Sequence, residues 1–137
     1  IKDNFKTEYL NETNFQNISI NEIKKLGLTK NKSKTIKNLS ELFLDNSFGD
    51  LATLDEEELH KQLLSVFGIG PWSVSMFEIF CLGKLDVFTS KDAGLRLAMN
   101  KSLIVDLNSD WKKYDEYAKK WSPFRSIACL HLWKTVD

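Results

Sequence analysis

Phe67-Gly68-Ile69-Gly70-Pro71-Trp72-Ser73, with Asp92 twenty residues beyond Trp72, is the stretch on which the reading of this chain turns. It reads as a hairpin between two helices. On the near side Leu59, Leu63 and Leu64 recur at helical spacing. Asp55 can cap that helix, with Glu58 in the reciprocal position of a capping box. On the far side Pro71 suits a first helical position. Val74, Phe77, Ile79, Phe80, Cys81 and Leu82 follow until Gly83 ends the run, which predicts a helix buried on most sides. Two glycines one residue apart let the chain turn sharply and expose its N–H groups. The amides of Gly68 and Gly70, with Ser73 at the start of the following helix, would make a phosphate seat backed by the helix dipole. A tight turn between packed helices needs the same glycines, so the hairpin alone leaves both readings open.

The flanking chain reads as helical throughout. Residues 1–20 are polar and weakly helical or irregular, anchored at Phe5, Tyr9, Leu10, Phe15 and Ile18. Ser19 can cap a short helix, and Thr29 or Asn31 the next, with Ile36, Leu39, Leu42 and Phe43 as its stripe. Phe48 and Leu51 should tuck a loop down. Beyond the hairpin, residues 84–89 form an extended connection to a helix capped by Ser90 or Asp92, with Leu95, Ala98 and Met99 inward. Trp111, Tyr114, Tyr117, Ala118 and Trp121 mark another helix. Ser122-Pro123 should cap and start the last, in which Ile127, Leu130 and Trp133 recur. Period-two alternation is nearly absent. The expectation is an all-α fold of about seven helices, a single domain over 1–137 with the helix-hairpin-helix motif at 55–83.

Composition narrows the function classes. Hydrophobic residues make up 42% of 137, enough for a real core, and no apolar run reaches the roughly 20 residues that cross a bilayer. No signal peptide opens the chain, and an intracellular protein is expected. Cys81 and Cys129 sit in apolar helical contexts and should be buried, reduced thiols. Two cysteines cannot hold an iron–sulfur cluster. Net charge is zero, so DNA binding would rest on local charge. Lys24, Lys25, Lys30, Lys32, Lys34 and Lys37 crowd one stretch and Asp55, Glu56, Glu57 and Glu58 another, which suits either a basic face or solvated helix surfaces. His60 and His131 read as surface or packed residues rather than ligands.

Asp92 enters a helix at its first turn, where the dipole and free N–H groups favour the ionised form and Lys91 adds positive charge. A plain helix cap explains the same position.

The hairpin and the approach Asp86-Val87-Phe88-Thr89-Ser90-Lys91-Asp92 together resemble the signature of the helix-hairpin-helix DNA glycosylases, most of all the alkylpurine (3-methyladenine) branch. Leu26-Gly27-Leu28-Thr29 with Lys32, Trp121-Ser122-Pro123-Phe124-Arg125-Ser126 and Leu130-His131-Leu132-Trp133 extend the likeness over most of the chain. The resemblance implies a hydrolase of base excision repair that removes alkylated purines from double-stranded DNA. Asp92 matches the catalytic aspartate. Trp72 stands where strand-cutting members place a lysine nucleophile, which implies base removal alone. Trp72, Met76 and Trp133 match base-pocket positions, where aromatic faces favour a cationic methylated base. No cofactor is implied as a requirement; members of the family often bind a monovalent cation, which by position would be held here by the backbone carbonyls of Leu64, Val66 and Ile69. Arg125 should brace its helix start rather than reach a phosphate. A monomer without membrane contact is expected, nuclear in a eukaryote or cytoplasmic in a prokaryote. The family carries a further helical segment, with a glutamine-rich motif and a wedge residue. Neither is found here, and the chain starts at Ile1 rather than Met, so it is expected to lack that segment. The competing readings are a non-catalytic hairpin module that grips phosphates and a purely structural helical domain.

Overall fold

Capping side chains fix where the helices begin. In the computed structural model, which describes residues 9–136, Ser19, Thr29 and Asp55 open α1 (Ile20–Lys25), α2 (Lys30–Leu44) and α3 (Glu56–Ser65), each accepting the backbone N–H three residues on. There follow α4 (Pro71–Phe80), α5 (Ala93–Lys101), α6 (Trp111–Ala118) and α7 (Arg125–Trp133), with 3-10 turns at Glu12–Phe15 and Lys119–Trp121. Among the described residues there is no strand, so the expected all-α fold of about seven helices holds. The anchor Phe5 lies outside the described residues. None of the described helices is long and apolar enough to cross a membrane. Contacts divide the chain into two compact units, Ile1–Gly70 and Pro71–Asp137, and the division falls within the hairpin stretch.

In the first unit Ile23 and Leu59 are completely buried, joined by Phe15, Phe48, Leu51, Leu63 and Val66. The α2 helix packs against α1 and the first 3-10 turn, but its expected stripe is not its innermost face. Ser33 and Ser40 are buried instead, whereas Phe43 is exposed. Their small side chains admit close neighbours: Ser40 Oγ donates to the Glu12 carbonyl at 2.6 Å. Lys37 Nζ donates to the carbonyls of Phe15 and Gln16 at 3.0 and 2.7 Å, so one lysine of the basic stretch is a tether. Ile36, Leu39 and Phe43 line an open cavity of about 250 Å³ with Leu10 and Phe15. Tyr9, expected as an anchor, is exposed. Two readings of α3 also change. Leu64 lies off the Leu59–Leu63 line and is exposed, and the Glu58 carboxylate accepts from Gln62 at 3.2 Å rather than closing the box.

Gly68 turns the chain after α3 at φ +85°, and a Cβ there would fall 2.0 Å from Thr35 Oγ1. Both conformation and space therefore require glycine. Gly70 meets nothing within 4 Å.

The core of the second unit gathers Leu95, Ala98 and Met99 of α5, Tyr114 of α6, and Cys129 and Leu132 of α7. Phe88 and Trp121 pack against it, their rings edge to face at 6.0 Å. The α4 helix is two-sided rather than buried on most sides. Val74, Glu78 and Ile79 face inward, whereas Phe80 is 62% exposed and Cys81 is also exposed, against expectation. A run apolar all round does not say which side a fold will cover. Buried Glu78 pairs with Lys84 at 2.7 Å. Gly83, at φ +65°, ends the helix as the Lys84 N–H reaches back to the Glu78 carbonyl. Cys129 is buried as expected, and burial pushes its thiol up to about 12, with the Asp92 charge adding to the shift.

The last helix starts later than expected. Phe124 is its N-cap, and the Ser122–Pro123 peptide, which is cis, precedes it. Ser122 does not cap because its hydroxyl donates to Asp86 Oδ2 at 2.8 Å. The buried face is Ser126, Cys129 and Leu132, one residue from the expected stripe, and Ile127 and Leu130 are exposed. This register stitches α7 to residues 84–89. Ser126 Oγ donates to the Lys84 carbonyl at 2.6 Å and accepts the Val87 N–H at 3.0 Å. Arg125 braces as expected: Nε meets Asp86 Oδ1 at 2.7 Å and Nη2 the Asp86 carbonyl at 2.8 Å.

Two tests follow from this packing. Gly68→Ala should destabilise the chain by about 2–3 kcal/mol, from the positive φ and the displaced Thr35 side chain. Adding Thr35→Ala should return only the second part, read from urea unfolding midpoints; an unchanged midpoint in Gly68→Ala would contradict the geometry. The Arg125 guanidinium holds Asp86 down from 3.8 to about 2. A depressed carboxylate stabilises above its unfolded value and loses that contribution as pH falls through its folded one. The stability gap between the parent chain and Asp86→Asn should thus be constant above about pH 5 and close as pH falls toward about 2.

Candidate active site

Asp92 follows the stitched connection and is the N-cap of α5, its Oδ1 accepting the Leu95 N–H at 2.7 Å. The cap reading is therefore correct as far as it goes. It does not account for the other two donors. Trp133 Nε1, from the end of α7, donates to the same Oδ1 at 3.0 Å, and Trp72 Nε1, from the first turn of α4, donates to Oδ2 at 2.7 Å. Three helices of the second unit thus converge on one carboxylate. Asp92 is 8% exposed and Trp72 47%, so the carboxylate is nearly enclosed while one of its donors borders solvent.

Burial alone would push the Asp92 carboxyl up. The Leu95 N–H, the Trp133 and Trp72 indoles and the Gly94 N–H outweigh it, and the net shift is downward. Asp92 is thus held ionised and fixed in orientation. A carboxylate so stabilised is a weak proton acceptor, because a general base works best with a pKa near the working pH. It is well suited to stand beside positive charge that develops in a reaction.

Indole N–H donation from the two tryptophans was not foreseen from sequence, which marked only their ring faces. Trp133 stacks on Phe80 at 5.7 Å and 26°, so the exposed Phe80 belongs to the surroundings of this site rather than the core. Gly94 was also missed. A Cβ there would lie 3.1 Å from Asp92 Oδ1 and 3.3 Å from Trp133 Cδ1, so its lack of a side chain leaves room for the carboxylate and indole to meet. A glycine in the second position of a capped helix, where alanine would be the better helix former, was the available signal. Met76 is half-buried on α4, one turn beyond Trp72. Ser73 is half-buried in the first turn of α4. In the first unit Gly68 and Gly70 follow α3, and the Val66 carbonyl accepts the Ile69 N–H at 3.1 Å.

No family model matches the chain. It is 30% identical over 148 residues to a DNA-3-methyladenine glycosylase of Saccharomyces cerevisiae, a match covering 85% of this chain and 50% of the yeast protein. The crystal structure of a DNA-3-methyladenine glycosidase from Bacillus halodurans superposes with a TM-score of 0.76 at 26% identity, over 97% of this chain and 62% of that one. The fold is also that of the Schizosaccharomyces pombe 3-methyladenine DNA glycosylase Mag1, solved with abasic DNA: TM-score 0.83, 22% identity, 97% of this chain and 68% of that one. The chain spans about half or less of the length of curated relatives it matches. With an all-helical fold, the Gly68-Ile69-Gly70 turn and an ionised Asp92 between two tryptophans, the chain belongs to the helix-hairpin-helix DNA glycosylase superfamily, on its alkylpurine branch.

Proposed function

We propose that the chain carries the active site of a monofunctional DNA glycosylase that hydrolyses the N-glycosidic bond of alkylated purines, of the 3-methyladenine type, in base excision repair. The observation that carries this reading is the ionised Asp92 held by two indole N–H groups in addition to its helix cap. A phosphate-gripping module needs no such carboxylate, which favours the enzyme over the binding-only reading.

Cleavage of the bond between sugar and base builds oxocarbenium character on the sugar. The Asp92 charge stabilises it, and the lowered pKa supports that role over proton abstraction from water. A purine alkylated on its ring is cationic and leaves without strong acid catalysis, which fits a site with one carboxylate. The nucleotide must leave the duplex to reach that carboxylate. Trp72, Met76 and Trp133 would receive the base, with indole faces attracting its positive charge. Trp72 offers no amine for a Schiff base, consistent with base removal without strand cleavage. Gly68, Gly70 and Ser73 are the proposed contacts to phosphate. The carbonyls of Leu64, Val66 and Ile69 are neutral, hard donors, and the one on Val66 keeps a second lone pair beside its bond from Ile69. They suit a monovalent cation, which would supply positive charge toward the phosphate backbone. Double-stranded DNA with damaged bases is the proposed partner and a monomer the proposed state, at work in the nucleus or the prokaryotic cytoplasm.

Release of free methylated purines from alkylated duplex DNA tests the proposal. Asp92→Asn should lower single-turnover release at least about 100-fold with its fold retained. Equal release by both proteins would exclude the carboxylate mechanism. Gly94→Ala should slow release by moving the carboxylate or Trp133 a few tenths of an ångström, although the helix itself gains up to about 1 kcal/mol. Normal release with raised stability would show that the space at Gly94 is dispensable. Trp133→Phe keeps a ring but removes one of the donors that lower the Asp92 pKa, so the acid limb of the pH–rate profile should move to higher pH.

A further inference from the structure

Immediately before Asp92 lies a cluster that the catalytic reading leaves unused. Lys91 Nζ sits 4.2 Å from the centroid of the Trp111 ring, and the Arg96 guanidinium carbon sits 4.7 Å from the same centroid. Trp111 opens α6 and is 45% exposed. Arg96 is anchored by a hydrogen bond from Nη1 to the Ser90 carbonyl. Ser90 is in turn fixed by Asp115, whose carboxylate accepts its N–H at 3.1 Å and its hydroxyl at 2.8 Å. Two cations are therefore held on one aromatic ring, on a segment whose backbone is itself tied down.

This arrangement has an electrostatic remainder. Two like charges on one ring repel each other, and the ring's quadrupole attracts both without neutralising either. Among the described residues no carboxylate lies within 4.0 Å of Lys91 or Arg96. The nearby acid, Asp115, has its oxygens engaged by Ser90. Cation–π contact occupies the face of the ring and leaves the ammonium N–H groups and most of the guanidinium fork available to an oxygen-bearing anion. A half-exposed tryptophan that orders two basic side chains lowers the entropy they lose on binding. The chain has zero net charge, so attraction for a polyanion has to come from such local concentrations.

We propose that Lys91 and Arg96, ordered on Trp111, form a phosphodiester-binding site that holds the DNA backbone beside the nucleotide presented to Asp92. This rests on the glycosylase reading for its ligand but not for its test. Lys91 is adjacent in sequence to the carboxylate, so a phosphate seated on the cluster is fixed relative to the reacting sugar by the rigid start of α5. The contact is to the backbone and carries no base specificity.

The test is equilibrium binding of the chain to an undamaged duplex oligonucleotide over a salt series, with Lys91→Gln, Lys91→Arg and Trp111→Leu beside the parent. Removing one phosphate contact should make the slope of log K against log salt shallower by about 0.9. Lys91→Gln should show that change and weaker binding at low salt, and Lys91→Arg should restore both. Trp111→Leu, which keeps both charges but not their platform, should weaken binding with the slope nearly unchanged. A Lys91→Gln slope equal to the parent's overturns the proposal, as does a parent that shows no salt-dependent binding. Base release at saturating DNA separates this from the glycosylase reading. Parent release with an unaltered Lys91→Gln slope would remove the phosphate site and leave the enzyme standing. A shallower slope without base release from any variant would leave the site standing and remove the enzyme.

Discussion

The Asp92 carboxylate is the point on which the second unit depends. It is charged in a place where burial opposes charge, and N–H groups from three helices resolve the conflict. Each donor fixes a different element: the cap sets the start of α5, the Trp72 indole the first turn of α4, and the Trp133 indole the end of α7. The placement of three helices and the ionisation of the carboxylate are thus set by the same few bonds. Losing one indole leaves the carboxylate less ionised and less well aimed, even where the core of Leu95, Ala98 and Met99 remains packed.

That convergence requires α7 to arrive in the right register, and the connection at residues 84–89 provides it. Asp86 gathers Arg125 and the Ser122 hydroxyl, while Ser126 joins the Lys84 carbonyl to the Val87 N–H. A stretch with no regular structure is thereby tied down through side chains about forty positions away in the chain. The polar stitching also explains why the inward face of α7 begins at Ser126: a hydroxyl there is needed for bonding rather than for apolar burial.

Local signals were legible in the sequence, and long-range ones were not. Ser19, Thr29 and Asp55 cap where their side chains predict, because a cap involves only residues three apart. The need for glycine at position 68 was equally readable, whereas the structure makes no such demand at Gly70. Ser122-Pro123 misled because Ser122 is recruited by Asp86, a partner that no local window contains. Phe80 and Cys81 misled because an apolar run carries no mark of which side is covered, and Phe80 serves Trp133 instead. The buried serines of α2 and the space at Gly94 were invisible for a related reason: small residues matter through what their neighbours do. The indole N–H bonds of Trp72 and Trp133 were not legible, because nothing local shows where a ring nitrogen will point.

The cap that Asp92 supplies beside its proposed catalytic role bears on how such chains can decay. A lineage that lost its chemistry would still keep this aspartate, since the helix behind it needs a cap whatever the protein does. Trp133 also packs against the core, whereas Trp72 is 47% exposed and would drift first. In a descendant sequence Trp72, more than the aspartate, would distinguish a working catalyst from a retired one.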